Sequence, residues 1–152
     1  MAPTISDLRI TSPDIGPDGR LHHRHALEHE NEPPVLRISG VPEGTVELAV
    51  ICHDPDAPMP RGFTHWALYG IPPGTTEIGP DADRHFRVGG NDFGKKGYGG
   101  PRPPVGHGPH HYYFWVYALD RPVEGAPSMQ RFLNEYSDAI IEQNRVVGIY
   151  ER

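Results

Sequence analysis

An apolar run from Thr45 to His53, TVELAVICH, stops at DPDAPMPRG and resumes at Phe63 to Ile71 as FTHWALYGI. Three prolines and a glycine in that interruption rule out a helix across it, so the chain must fold here as two strands joined by an irregular loop. A second interruption, GGNDFGKKGYGGPRPPVGHGP from Gly89 to Pro109, feeds another apolar run, HHYYFWVYAL, from His110 to Leu119. Rigid strands whose ends are joined by such loops are how a small binding site is usually built. Glycine and proline together make 36 of 152 residues (18 of each), which fits many turns between short strands and predicts a mainly β protein.

Alternation along Thr45–His53 puts Val46, Leu48, Val50 and Cys52 on one face and Glu47, Ala49, Ile51 and His53 on the other. Asp54 has the parity of the first set, so it points to the core side at the rim of the sheet, where a carboxylate needs a partner. In Phe63–Ile71, His65 shares parity with Phe63, Ala67 and Tyr69, and the pattern leaves open which face is inward. In His110–Leu119, spacing by two sets His110 beside Tyr112 on one surface. Shorter strands are predicted at Leu8–Thr11, Val35–Ser39, His85–Val88 and Arg145–Tyr150, the last with Val146 and Val147 buried. Helix is expected only over Ser128–Gln143, with Ser128 as cap, Met129, Phe132, Leu133 and Tyr136 at helical spacing, and a second short helix over Asp138–Gln143.

The length predicts one domain over residues 1–152. Lys and Arg total 14 against 20 Asp and Glu, a net charge of -6 with no sustained basic run, which argues against nucleic acid as a partner. No apolar run is long enough to span a membrane and the N-terminal residues lack a secretory pattern, so the expectation is a cytoplasmic protein with no stable membrane insertion. Cys52, the only cysteine, reads as a buried small hydrophobe. His22, His23, His25 and His29 lie in LHHRHALEHENEPP without clear period and read as surface histidines on a loop or edge rather than a metal site.

Three readings compete for the glycine-rich segment. Gly89–Lys95 fits a phosphate-loop pattern, but GYGGPRPP follows where a helix would have to start, which excludes it. His107, His110 and His111 could ligate a metal only on a helix, and the flanking prolines and aromatics make a strand instead. The third reading is an anion pocket: His65, His110 and Tyr112 donate, a glycine such as Gly100 lets a backbone amide approach, and Asp54 orients the imidazoles and favours their protonated form. Against it stands the simpler account that Asp54 and Asp56 cap turns and His65 is a satisfied core histidine.

DPDAP with the HW of His65 and Trp66, and GP-x-PP-x-GHGPH-x-Y-x-F from Gly100 to Phe114, resemble the two signature regions of the phosphatidylethanolamine-binding proteins, in particular the compact bacterial and archaeal branch called Raf kinase inhibitor-like. NEPPVLRISGVPEG and VVGIYER resemble further family segments. The resemblance implies a β-sandwich of a large central sheet and a smaller one with short helices. It also implies a pocket for phosphate, carboxylate or phosphorylethanolamine-like groups, with Asp54, Asp56, His65, Gly100, His110 and Tyr112 as ligand-binding residues. The Ala57–Pro58 bond is a candidate cis peptide. His111 stands where the family usually has arginine.

The expected function is binding of a small anionic or phosphorylated ligand, with no cofactor, no metal and no assigned catalytic residue. A kinase- or protease-inhibitory interaction module is the alternative, and a homodimer is a further partner expectation. A hydrolase using Asp54 and a histidine is disfavoured, because no nucleophile stands beside the pair.

Overall fold

The structure, a computed structural model, describes residues 7–152. Among these residues eight strands form two antiparallel sheets. The large sheet has the order β6-β4-β3-β7-β8, built from β3 (Glu47–Asp54), β4 (Phe63–Ile71), β6 (Arg87–Val88), β7 (His110–Leu119) and β8 (Ile140–Tyr150). The small sheet, β1-β2-β5, is built from β1 (Arg9–Thr11), β2 (Leu36–Ser39) and β5 (Glu77–Ile78). This is a mainly β protein, as the composition predicts, and the sandwich of a large and a small sheet that the family resemblance implies.

Apolar side chains of both sheets meet in one core, with Leu8, Ile10, Leu36 and Ile38 against Leu48, Val50, Cys52, Trp66, Phe114 and Val116. The other face of the large sheet is covered by α1 (Met129–Tyr136), the single α-helix among the described residues. There Ala49, Ile51, Ala67, Tyr69 and Tyr117 pack on Phe132 and Tyr136. Central strand β3 is therefore apolar on both faces, as a strand with layers on either side must be. Val46 does not belong to the inward set: the strand begins at Glu47, and Val46 is exposed.

Ser128 caps α1 by accepting from the Arg131 amide at 3.3 Å, as its position predicted. The predicted second helix is a single 3-10 turn, Ser137–Ala139, after which Ile140 already pairs with Leu119. The closing strand thus takes Ile140–Gln143, because pairing along the whole of β7 outweighs the local helical pattern. Val146 and Val147 are only half-buried. His85 ends a 3-10 turn, and its strand is reduced to Arg87–Val88. No helix among the described residues is long and apolar enough to cross a membrane.

The histidine-rich segment is not wholly a surface loop. His25 is fully buried at the end of a 3-10 turn, its Nδ1–H donating to the Glu32 carbonyl at 2.7 Å, while Nε2 has no partner. Burial lowers its pKa, with the Glu32 carbonyl acting weakly the other way. An imidazole that resists protonation in the fold takes up a proton more readily when unfolded, so its contribution to stability is lost as pH falls below about 6.5. His25→Gln should flatten the fall in urea-unfolding free energy between about pH 7.5 and pH 5; a slope equal to wild type would exclude His25 as a source of acid sensitivity.

Candidate functional site

At one end of the large sheet the C-terminus of β3 and the starts of β4 and β7 surround a cavity of about 410 Å³. Asp54, His65, His110 and Tyr112 line it, together with Ala57, Pro58, Met59, Phe63, Phe93, Pro103 and Pro104, and Arg102 and Arg152. The four predicted polar residues thus converge from three strands, and each is at least 95 % buried (exposures of 2 %, 4 %, 2 % and 1 %).

Asp54 is satisfied twice. Its Oδ2 accepts from His110 Nδ1–H at 2.6 Å, and its Oδ1 accepts from the Asp56 amide at 2.7 Å. The second bond is the Asx turn that the simpler account anticipated, so one carboxylate both turns the loop and orients the histidine. That turn, with Gly62 at φ 67, carries the reversal; all peptide bonds among the described residues are trans, and Ala57–Pro58 is not cis.

His65 reaches the cavity through a bulge. Cys52 pairs with Trp66 but His53 pairs with Thr64, leaving His65 as an extra residue in β4. The bulge turns it to the same side as Trp66 and Asp54, against strict alternation, a common device beside sites. Its ring lies 4.8 Å from Phe63, 5.5 Å from Phe93 and 5.2 Å from Tyr112. Nδ1–H donates to the Gly99 carbonyl at 2.6 Å, and the Gly99 amide donates back to the His65 carbonyl at 2.9 Å. Burial lowers the His65 pKa despite the Gly99 carbonyl and Asp54 acting to raise it. The expectation that Asp54 favours protonated imidazole therefore fails for His65: desolvation wins, and neutral His65 presents Nε2 as an acceptor.

His110 is not a free donor either. Its Nδ1–H is committed to Asp54 and its Nε2 lies 2.6 Å from Nδ1 of His107, so both ring nitrogens are engaged. Tyr112 stays a donor, because burial and then the Asp54 charge push its phenol pKa upward.

Gly100 and Asp56 stand outside the lining. The Gly100 amide donates to Asn31 Oδ1 at 2.7 Å, and a Cβ there would sit 2.0 Å from the His25 carbonyl oxygen, so Gly100 is needed for close packing rather than as an amide facing a ligand. Asp56 is exposed and accepts from both the amide and the Nδ1–H of His111, at 2.8 and 2.7 Å. Burial acts to raise the Asp56 pKa, but the His111 bonds outweigh it and lower it. His111 is accordingly a latch between the two loops. No group of three metal-ligating side chains exists among the described residues, and His111 points away from the His107–His110 pair.

The glycine-rich segment is a closed loop held by Asn91, whose Nδ2 donates to Gly97 O at 2.9 Å while Oδ1 accepts from the amides of Phe93 and Lys95. Its service to the cavity is to insert Phe93. The sequence reading missed Phe93, Arg102 and Arg152 as lining and His107 as a partner of His110. Arg102 lay in view inside GPRPP, but nothing local ties Arg152 to the same place. A second cavity, about 420 Å³, lies on the helix side, lined by His53, Arg61, Thr64, Asp92 and Ser128. Both ring nitrogens of His53 are already spent on Thr64 Oγ1 and the Arg61 carbonyl.

A two-sheet β-sandwich with a recessed, acid- and histidine-lined cavity at its strand ends defines the class of protein. A profile of the family described as phosphatidylethanolamine-binding protein matches residues 11–151, and the chain belongs to that family. The crystal structure of Escherichia coli YbcL, described as a new member of the mammalian PEBP family, superposes with a TM-score of 0.88 at 34% identity, covering 97% of this chain and 99% of that one. A UPF0098 protein of Pyrococcus horikoshii is 44% identical over 131 residues, 78% of this chain and 64% of the relative's length. A Mycobacterium tuberculosis relative named putative lipoprotein LppC is 35% identical over 157 residues, 99% of this chain and 75% of its own.

His110→Ala should leave the buried Asp54 carboxylate short of one hydrogen-bond donor and cost about 2 kcal/mol, the penalty of an unsatisfied buried polar group. Thermal unfolding at neutral pH checks this; an unchanged melting temperature would mean water replaces the imidazole. Gly100→Ala, which drives a methyl group into the His25 backbone, should cost about 3 kcal/mol by overpacking, and urea unfolding measures it.

Proposed function

We propose that this chain is a binding protein for a small molecule carrying a phosphate or carboxylate group. The observation that carries the reading is the convergence of Asp54, His65, His110 and Tyr112 on one cavity that also has two guanidinium groups in its lining. A cavity of about 410 Å³ with apolar walls and a few polar groups is typical in size and character of a small-molecule site. Asp54, His65, His110 and Tyr112 are the proposed ligand-binding residues, while Gly100 and Asp56 act as supports for the loops.

Catalysis is not part of the proposal. Asp54 and His110 form an acid–base pair, but no serine, threonine or cysteine lines the cavity, and the Cys52 thiol lies in the core with its pKa raised by burial. A protein-interaction role is a second reading, favoured by Met59 and Val105, exposed at 48% and 77% on the two loops that frame the cavity. A cytoplasmic location also stays a proposal, since one relative is named a lipoprotein; recovery in a membrane fraction would overturn it.

Phosphorylethanolamine at about a hundred times its dissociation constant should raise stability by roughly 2.7 kcal/mol, read as a shift in thermal unfolding. His65→Ala, which removes a wall of the cavity, should weaken binding about tenfold while still melting cooperatively. No shift in wild type with phosphate, phosphorylethanolamine or an organic phosphate would overturn the ligand-binding reading.

A further inference from the structure

His110 has two ring nitrogens, and the fold engages both. Nδ1–H is held by Asp54 Oδ2 at 2.6 Å, and the two side chains are only 2% and 3% exposed. That bond is fixed from the far side as well, because Asp54 Oδ1 anchors the Asp56 amide at 2.7 Å. The other nitrogen, Nε2, lies 2.6 Å from Nδ1 of His107. An anion that binds to His110 therefore has only Nε2 to bind, and that nitrogen already has a partner.

This partner is placed where it can leave. His107 is exposed and sits in a turn between two glycines with positive φ, Gly106 at 76° and Gly108 at 90°. A Cβ at either glycine would meet nothing within 4 Å, so the turn stands clear of the body of the protein. Its backbone is nonetheless anchored: the Gly106 amide donates to the Arg152 carbonyl at 3.0 Å and the His107 amide to the Pro104 carbonyl at 3.1 Å. The contact with His110 is the only hydrogen bond of the His107 side chain among the described residues, and the two rings, 4.9 Å apart and tilted by 56°, do not stack. His110 lines the cavity and His107 does not, so the ring that covers Nε2 can turn to solvent without crossing the site. Rotation of an exposed side chain about its own bonds is fast and leaves the loop in place.

We propose that His107 is a gate on the ligand site: its imidazole and the anionic group of the ligand compete for His110 Nε2, and binding turns His107 out into solvent. The proposal rests on the ligand-binding reading above and adds how that site is regulated. One proton lies between the two rings. It stays on His110 when His107 leaves, so Nε2–H donates to the incoming phosphate or carboxylate oxygen while Nδ1–H stays on Asp54. A hydrogen bond to an anionic oxygen is stronger than one between neutral groups, which lets an anion open the gate. The observed affinity is then the intrinsic affinity reduced by the fraction of molecules in which His107 is turned out.

Inorganic phosphate and phosphorylethanolamine, each titrated calorimetrically into the whole chain, test this. His107→Ala should bind both about fivefold more tightly than wild type, the usual net strength of one hydrogen bond, and should melt as wild type does. In wild type, nitrogen NMR of the histidine side chains should show the His107 ring moving to the shifts of a solvent-exposed imidazole as phosphate is added. Where wild type binds, unchanged or weaker binding by His107→Ala overturns the gate and leaves the ligand-binding reading intact: weaker binding makes His107 a ligand contact, and unchanged binding means that no competition exists. Binding by His107→Ala alone would support the gate in its tightest form. If neither protein binds either probe, both readings fall.

Discussion

The site depends on where one carboxylate is buried. Asp54 ends a strand that is apolar on both faces, so the chain has committed its central strand to a residue that cannot be left unpaired. Its two oxygens recruit the loop that follows, through the Asp56 amide, and the start of β7, the neighbour of β3 in the sheet, through His110, 56 residues on. The latch of Asp56 on His111 then fastens the same two segments from the outer side. The cavity is the space that remains when three strand ends are tied by these bonds rather than by side-chain packing.

The bulge at His65 makes the second constraint visible. Regular pairing would send this imidazole to the helix side with Ala67 and Tyr69, where the packing is apolar. The extra residue in β4 turns it to the cavity, and the reciprocal bonds with Gly99 fix it there. The cost is a buried imidazole whose ordinary protonation is suppressed, so the ring contributes an acceptor and an aromatic face instead of a positive charge. Burial decides this against a nearby carboxylate because the carboxylate's hydrogen bonds are directed elsewhere.

Strand positions and the polar residues at their ends were legible because alternation and proline punctuation are local signals. Phe63–Ile71 and His110–Leu119 have the bounds read from sequence, and parity alone put Asp54 inward. What parity could not give was the side of His65, since a bulge is one residue of irregularity with no mark in composition. The role of Gly100 was misread for a related reason: a glycine in a motif offers an amide in principle, but here Asn31 takes the amide and the His25 backbone fills the space a side chain would need. The family resemblance carried the residue set and the sandwich, and could not carry departures such as His111 on Asp56. Arg152 and Glu28 meet across the molecule, and only the folded chain puts them together.

The segment read as a surface loop of histidines packs against the loop that frames the site, although none of its residues lines the cavity. It is pinned from the glycine-rich loop by the Gly100 amide on Asn31, by the Tyr98 hydroxyl on the His25 carbonyl at 2.7 Å, and by the Leu27 amide on the Pro101 carbonyl at 3.0 Å. Glu28 lies within the pinned stretch and bonds both Arg102 and Arg152. Few exposed ion pairs matter to a fold, and the bonds of Glu28 contribute little to stability by themselves. Their consequence is geometric: the pinned stretch holds Glu28, and Glu28 ties together Arg102 and Arg152, which line the cavity.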